Sequence, residues 1–408
     1  MPNVANTTEP VKIAILGAGP VGLEAALAAA ERGWSFRVYE ASLRPAGHVR
    51  SWGHVRAFTP WDMNVSPRAE GALTAAGIAV PSEGRTPTGD ELADELLDPL
   101  AGLDTIAPHI RLGHKVLAVG RQGLLKHEEI SSPERAARPF SILVSGPDGE
   151  RIEHAEAVLD CTGTYGKPNT LGDAGIPAPG ETELADRIDR RIPDLTDPAG
   201  WAGQIVLLTG AGHSAQTAAR ELAELARQAP DTRVIWSTRS PSPDWGAVDN
   251  DPLPARAELN AAAAALARGD SGAVEFLPGH VTSRLAERVG KIAVTLANGS
   301  ATEVEVDRVL SLNGGIGDNE LYRQLQVHEC YATCGPITLS AALLEGDSSD
   351  CMAQGGQGAD VLRNPEPRFF IVGAKSYGRN SQFLMRTGWQ QVDDVIGILA
   401  DELAGAPA

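Results

Sequence analysis

Two segments of the chain share one pattern of hydrophobic residues, glycines and helix-forming residues. Residues 11–16 (VKIAIL) form a continuous apolar run, which predicts a parallel strand buried on both faces. A glycine turn and an alanine-rich helix follow, and residues 35–40 predict the next strand. Residues 204–225 repeat the pattern, with residues 233–239 as their second strand. The repeat predicts an α/β protein with two Rossmann-like βαβ units.

Weaker patterns complete the prediction. They are a helix over residues 88–101, several strands between 110 and 160 with a hairpin turn at 146–150, strands at 307–312 and 368–374, and a last helix from about Gly388 to Leu403. Residues 165–203 are dense in Pro, Gly, Asp and Arg, which is typical of a domain crossing. We therefore predict a first domain of residues 1–167 and 314–408, with a second domain of residues 168–313 inserted into it.

Composition narrows the classes of function. Hydrophobic residues make up 42% and charged residues 22% of the 408 residues, as in ordinary globular enzymes. A net charge of −18 disfavours nucleic acid and anionic membranes as partners. No apolar run is long enough to span a membrane, and the N-terminal residues do not resemble a secretory signal, so we expect a cytoplasmic protein. The cysteines are too few for a disulfide scaffold, and no spacing of His and Cys predicts a metal site.

The first glycine turn, GAGPVG, has the context of a dinucleotide-binding loop. It follows a buried strand and opens a helix, and the next strand ends on an acid, Glu40. Glycines permit the tight turn, the approach of backbone N–H groups to a pyrophosphate, and close packing of helix on strand. Glu40 would accept hydrogen bonds from ribose hydroxyls and repel a 2′-phosphate. The predicted binding residues are Gly17, Gly19, Pro20, Gly22 and Glu40.

The second glycine turn, GAGHSA, also has the pattern of a dinucleotide-binding loop, with Ala215 in the third glycine position. Its second strand ends on WSTRSPS, which has no carboxylate. A guanidinium with neighbouring hydroxyls suits a 2′-phosphate, and we therefore predict NADPH rather than NADH. The predicted binding residues are Gly210, Gly212, His213, Ser214, Thr238 and Arg239.

With two such loops, the sequence resembles the two-dinucleotide-domain flavoproteins. This superfamily contains thioredoxin reductase-like enzymes and the flavin-containing and N-hydroxylating monooxygenases. VLDCTGTYGKP (158–168) resembles the segment that closes over FAD, DRVLSLNGG (307–315) the strand by which the chain returns, and FFIVGAKSYGRNSQFLMRTGWQQ (369–391) the C-terminal FAD motif. The resemblance implies FAD at the first loop and NADPH at the second.

The resemblance also implies further contacts to FAD, at Val116, Thr162, Gly163, Gly373, Ala374, Gly388, Trp389 and Gln390. The helix opening near Gly388 would direct its N-terminus at the flavin. Two departures stand out. Lys375 replaces the acid that is common in the C-terminal motif, and the FxGxxxHxxxW fingerprint of Baeyer–Villiger and flavin-containing monooxygenases is absent.

Three functions remain open. In the favoured one, a monooxygenase reacts with O₂ and passes oxygen from a flavin hydroperoxide to a nitrogen or sulfur of a small-molecule substrate. The aromatic stretch 51–64 would shield that species, with Trp61, Asn64 and His54 as the candidate catalytic residues. His48 is a further candidate proton donor.

The second function is a disulfide reductase that uses Cys330 and Cys334, which would share a face if CYATC were helical. The third is a non-catalytic nucleotide-bound redox sensor. The identity of the substrate and the oligomeric state, including a homo-oligomer, are left open by the sequence.

Overall fold

The computed structural model describes residues 11–82, 84–249, 251–270, 272–345 and 358–404. The strands are β1 Val11–Leu16, β2 Phe36–Glu40, β3 Ile110–Leu112, β4 Lys115–Arg121, β5 Phe140–Gly146, β6 Gly149–Asp160, β7 Ile188–Asp189, β8 Ile205–Thr209, β9 Arg233–Thr238, β10 Val274–Pro278, β11 Val281–Arg288, β12 Lys291–Ala297, β13 Ala301–Val306, β14 Arg308–Ser311 and β15 Phe369–Ile371. The helices are α1 Pro20–Glu31, α2 Gly47–Arg50, α3 Pro67–Ala75, α4 Gly89–Leu92, α5 Asp98–Ala101, α6 Pro133–Ala137, α7 His213–Gln228, α8 Pro254–Ala267, α9 Ile337–Glu345 and α10 Met385–Ala404, with a π-helical turn at Ala93–Leu97 between α4 and α5.

The chain divides into two compact units. The first unit contains the described residues up to Lys167 and from Ile316 onward, and the second unit is Pro168–Gly315. Gly314 and Gly315 belong to the second unit because they pair with its first residues. The N–H of Asn169 donates to the carbonyl of Gly314 at 2.9 Å, and Gly315 forms a β-bridge with Pro168.

The first unit is built on a parallel sheet in the order β3-β2-β1-β6-β15. The long strand β6 also extends into an antiparallel meander with β5 and β4. Helices α1 and α10 pack together against the sheet in one hydrophobic core. The parallel strands therefore end at the same edge, which is where ligands bind in such sheets.

The second unit repeats this plan with a parallel sheet in the order β10-β9-β8-β14-β7. Helix α7 packs on it through its alanine and leucine face, and β11, β12 and β13 form a separate antiparallel sheet. The prediction of an α/β fold with two Rossmann-like units is confirmed.

The last helix differs from the prediction. It begins at Met385, one turn before Gly388, so residues 388–390 lie inside the helix and not at its opening. No helix within the described ranges is long and apolar enough to cross a membrane.

Candidate functional site

A cavity of about 430 Å³ lies in the first unit, at the carboxyl edge of its parallel sheet. Residues at or just beyond the ends of four of its strands line it, namely Leu16, Glu40, Cys161 and Val372. Its volume falls in the range of small-molecule sites. The strand ends thus bring together residues that are far apart in the sequence.

The first glycine loop forms one wall of this cavity. Gly17 has φ +99°, and a Cβ on it would lie 2.9 Å from the carbonyl oxygen of Cys161. A Cβ on Gly22 would lie 1.9 Å from the carbonyl oxygen of Gly17, so the loop and α1 pack too closely for a side chain. A Cβ on Gly19, by contrast, would meet no atom within 4 Å, and Gly19 and Pro20 line the cavity. The loop therefore leaves open space where a pyrophosphate would lie.

Helix α1 presents its N-terminus to the same space. Its N-cap residue Gly19 offers no side-chain cap, so the first-turn N–H groups are not satisfied by a capping side chain. These N–H groups and the helix dipole favour an anion. The wall formed by the loop therefore fits a phosphate group.

Glu40 is held rigidly at the end of β2. Its side chain is buried, and Oε2 accepts a hydrogen bond from the N–H of Ala18 at 2.8 Å while Oε1 accepts from the N–H of Ser42 at 2.9 Å. Each carboxylate oxygen retains acceptor capacity. Glu40 lines the cavity, so the carboxylate is available to ligand hydroxyls.

The segment after β6 also reaches the cavity. Thr162 and Gly163 line it, and the Thr162 hydroxyl donates to Oδ1 of Asp160 at 2.6 Å. Gly163 has φ +69°, and a Cβ there would meet open space. Val116, at the start of β4, lines the cavity as well.

The C-terminal motif contributes Gly373 and Ala374 to the lining. The N–H of Gly373 donates to Oε1 of Gln391 at 2.8 Å, so the helix α10 fixes this turn. Sequence analysis did not identify Gln391. Gln391 is a polar residue on the apolar face of α10, four residues before Val395. A polar residue on that face is the signal by which it could have been predicted.

Trp389 and Gln390 lie outside the lining of the cavity, so their contact with FAD remains a prediction. Neither lines the cavity, and Gln390 is exposed, because α10 begins at Met385 and has turned these side chains away. Met385 takes their place in the lining. Gly388 lies against α1 instead, where a Cβ would come 2.7 Å from Val21.

The three candidate catalytic residues do not line the cavity either. Trp61 is 1% exposed and packs in the hydrophobic core. Asn64 is buried, and its Nδ2 donates to the carbonyls of Thr59 and Pro60 at 2.8 and 2.9 Å, so it closes a local turn. Nε2 of His54 is buried without a hydrogen-bond partner. The turns of residues 51–64 direct these side chains into the protein, so their catalytic role remains a prediction that the lining of the cavity does not support.

Other residues supply the aromatic lining. His48 and Trp52 line the cavity from α2 and the turn that follows it. Three residues from other segments, Tyr165, Phe383 and Met385, line it as well. The rings of His48 and Tyr165 are stacked, with centroids 5.9 Å apart and an angle of 27° between their planes. Tyr165, Phe383 and Met385 carried no signal in the sequence beyond the resemblance of the segments that contain them.

Of the described residues that line the cavity, one is a cysteine. This is Cys161, and burial together with the carboxylate of Asp160 raises the pKa of its thiol well above the ordinary value. Cys351 lies outside the described residues.

Cys330 and Cys334 do not line the cavity. They lie in a turn rather than a helix, with Cys334 at φ +63° and its N–H donating to the carbonyl of Cys330 at 2.7 Å. Hydrogen bonds from the backbone at Thr333 and Ala332 lower the pKa of Cys330, although no basic side chain is involved.

The second glycine loop has the geometry of the first. Gly210 has φ +119°, and a Cβ there would lie 2.3 Å from the carbonyl oxygen of Leu312, whereas a Cβ on Gly212 would meet nothing within 4 Å. Gly212 is the N-cap of α7 and offers no side-chain cap. His213 and Ser214 form the first turn of α7, and burial lowers the pKa of His213. This loop also fits a phosphate group.

The end of β9 presents a cation to solvent. Arg239 is exposed, and it forms no ion pair with any residue that the structure describes. Thr238 is buried, and its hydroxyl donates to the carbonyl of Ser240 at 2.9 Å, so it is committed to the turn. The exposed guanidinium of Arg239 can therefore bind an anion here. No cluster of His, Cys, Asp or Glu within the described ranges could hold a metal ion.

Comparison with solved structures finds this architecture in a disulfide reductase and in monooxygenases. The bacillithiol disulfide reductase of Bacillus cereus superimposes with a TM-score of 0.69 at 18% identity, covering 96% of this chain and 99% of that one. An ornithine N-hydroxylase of Kutzneria gives 0.57 at 14% identity (96% and 99%), and a flavin-containing monooxygenase of Stenotrophomonas maltophilia gives 0.58 at 18% identity (97% and 99%). No model of a known protein family matches the chain, and no curated protein does.

These similarities extend over nearly the whole length of both partners. The chain has the fold of these enzymes, with two Rossmann-like units, as the sequence predicted. The neighbours include both disulfide reductases and monooxygenases, so the fold alone is compatible with either reaction.

Proposed function

We propose that this protein is an FAD-dependent oxidoreductase that uses NADPH, with FAD in the cavity of the first unit and NADPH at the second glycine loop. The open space beside Gly19, the uncapped N-terminus of α1 and the fixed carboxylate of Glu40 support FAD. The exposed guanidinium of Arg239 supports NADPH.

The groups that line the cavity have distinct roles in this proposal. The N–H groups at the start of α1 bind the pyrophosphate, and Glu40 accepts hydrogen bonds from the ribose hydroxyls. Trp52, Phe383 and Met385 provide an apolar wall that excludes water. Bound FAD would supply the redox chemistry, namely hydride acceptance from NADPH and electron transfer to a second substrate.

We infer further that the second substrate is O₂ and that the enzyme is a monooxygenase acting on a nitrogen or sulfur of a small molecule. The observation that carries this inference is the chemistry of the lining. Its cysteine, Cys161, is held as a thiol, so it is a poor nucleophile toward a disulfide. His48 and Tyr165 line the same cavity and carry exchangeable protons.

A disulfide reductase is the second candidate, and one observation favours it. The pKa of Cys330 is lowered, and Cys334 follows it in the same turn, so the turn contains a partner for a reactive thiolate. Against this candidate stands the position of both residues outside the lining of the cavity.

Two assays on the flavin-loaded protein separate the candidates. A monooxygenase consumes O₂ with NADPH and transfers one atom of isotopically labelled O₂ to an amine or thioether. A disulfide reductase oxidises NADPH without O₂ and releases thiols from a soluble aromatic disulfide. Thiol release at the aerobic rate of NADPH oxidation, with no labelled product, would contradict the monooxygenase. Absence of NADPH oxidation under both conditions would instead favour a non-catalytic nucleotide-binding protein.

A further inference from the structure

A buried ion pair lies behind the wall of the cavity. Nζ of Lys375 lies 2.6 Å from Oδ2 of Asp160, and the side chains of both residues are at most 1% exposed. Neither residue lines the cavity, so neither is placed to contact a ligand. A buried ion pair is weak evidence for stability alone, because desolvation offsets most of the attraction.

The ammonium group is fully hydrogen-bonded. Besides Asp160, it donates to Oγ1 of Thr162 at 3.2 Å and to the backbone carbonyl of Asp318 at 2.8 Å. Three partners match the three N–H donors of a lysine. The hydroxyl of Thr162 in turn donates to Asp160, so Thr162 is held from two sides.

These partners come from separate segments of the first unit. Thr162 follows β6, Asp318 caps the turn Asn319–Tyr322, and Lys375 belongs to the turn Gly373–Tyr377. Each segment contributes to the lining, through Thr162, Asp318 and Ala374 respectively. One ammonium therefore joins three parts of the cavity wall.

The segments meet so closely that a side chain is excluded between them. A Cβ on Gly317, which has φ +83°, would lie 2.7 Å from the carbonyl oxygen of Gly163 and 3.0 Å from Cγ of Lys375. The aliphatic stem of Lys375 thus packs between the segments that its ammonium joins.

We propose that Lys375 is a positioning residue for the cofactor. The ammonium group of Lys375 holds Thr162 and Asp318 in the positions that the FAD cavity requires. This inference rests on the proposed binding of FAD in the cavity. Walls that are ordered before binding lose less conformational entropy when the ligand arrives, and affinity is therefore sensitive to their order. The residue that departs from the family motif would thus act through its neighbours and not through a contact to the flavin.

The test compares Lys375→Met with the neutral double variant Asp160→Asn, Lys375→Met. Lys375→Met leaves a buried carboxylate without its partner, so we expect both lower stability and weaker binding of FAD, by about tenfold or more in Kd. The double variant removes the unpaired charge, so we expect stability to recover while the Kd for FAD stays raised. Urea unfolding of the apoprotein and fluorescence titration with FAD measure the two quantities separately.

Arg121→Met is the matched control, because Arg121 belongs to another buried ion pair in the same unit, with Glu366, and does not line the cavity. It should lower stability and leave the Kd of the folded protein for FAD unchanged. Recovery of both stability and FAD affinity in the double variant would overturn the positioning role. So would an unchanged Kd in Lys375→Met. Failure of the unmodified protein to bind FAD would contradict the proposed function instead.

Discussion

Oε2 of Glu40 accepts a hydrogen bond from the backbone N–H of Ala18, with 2.8 Å between the two atoms. The acid at the end of β2 is thereby tied to the middle of the glycine loop at the end of β1. Its other oxygen accepts from the N–H of Ser42, so the carboxylate cannot rotate freely. Glu40 therefore shapes the loop in addition to facing the cavity.

The first prediction concerns this carboxylate. Glu40→Gln removes the charge, and we expect the affinity for FAD to fall by about 1.5–3 kcal/mol, the usual contribution of a charged hydrogen bond. Fluorescence titration of the apoprotein with FAD measures the change. Glu150→Gln, on an exposed residue of the same unit, is the control. An equal effect in both variants would show that Glu40 does not contact the cofactor.

The second prediction separates folding from binding at the first loop. A side chain at Gly19 would enter open space beside the cavity, so Gly19→Leu should fold normally but purify without flavin colour. Gly22→Leu should fail to fold, because its Cβ would overlap the carbonyl oxygen of Gly17. Circular dichroism and the flavin absorbance of the purified proteins give both results. A Gly19→Leu protein with its full flavin content would contradict the assignment of the loop.

The third prediction concerns the choice of coenzyme. Arg239→Ala should weaken NADPH binding by about 1.5–3 kcal/mol and leave NADH almost unaffected, because the coenzymes differ in the 2′-phosphate. Steady-state KM values for both coenzymes measure this. Arg233→Ala is a matched control, since Arg233 is exposed at the opposite end of the same strand. Equal losses with NADPH and NADH would show that Arg239 does not read the phosphate.

The fourth prediction concerns the cysteine turn. A double variant, Cys330→Ser with Cys334→Ser, should retain its flavin and oxidise NADPH at a rate within a few-fold of the unmodified protein. A monooxygenase needs neither thiol, whereas a reductase needs a thiolate and a resolving partner. Loss of activity in a folded, flavin-loaded double variant would favour the reductase.

The fifth prediction tests stability away from the cavity. Glu366 is fully buried between Arg121 and Arg135, at 2.7 Å from a guanidinium nitrogen of each. Glu366→Gln leaves two buried cations without their counter-charge, so we expect the free energy of unfolding to fall by about 3–5 kcal/mol. Urea unfolding measures this change. Glu134→Gln, which removes an exposed pair with Arg138, should cost less than about 1 kcal/mol. Similar losses in the two variants would contradict the argument from burial.

The sequence by itself determined the two βαβ units and the positions of their glycine loops. Apolar runs such as Val11–Leu16 form buried strands wherever they lie, and the turn after such a strand is a local feature. Glu40 could be predicted for the same reason, because it ends the second strand of the first βαβ unit. The order of strand, glycine loop and acid is set within a single βαβ unit, so it can be predicted directly from the sequence.

Tertiary structure decided which side chains reach the cavity. Trp61 and Asn64 belong to an irregular stretch whose turns carry them into the core, while His48 and Trp52 of the same region line the cavity. No periodicity distinguishes these outcomes, because the direction of a loop residue depends on what it packs against. The same holds for Lys375, whose partners Asp160 and Asp318 are brought to it by separate segments of the chain. A buried charge is stable only where the fold supplies its partners, and the sequence pattern does not predict which residues those partners are.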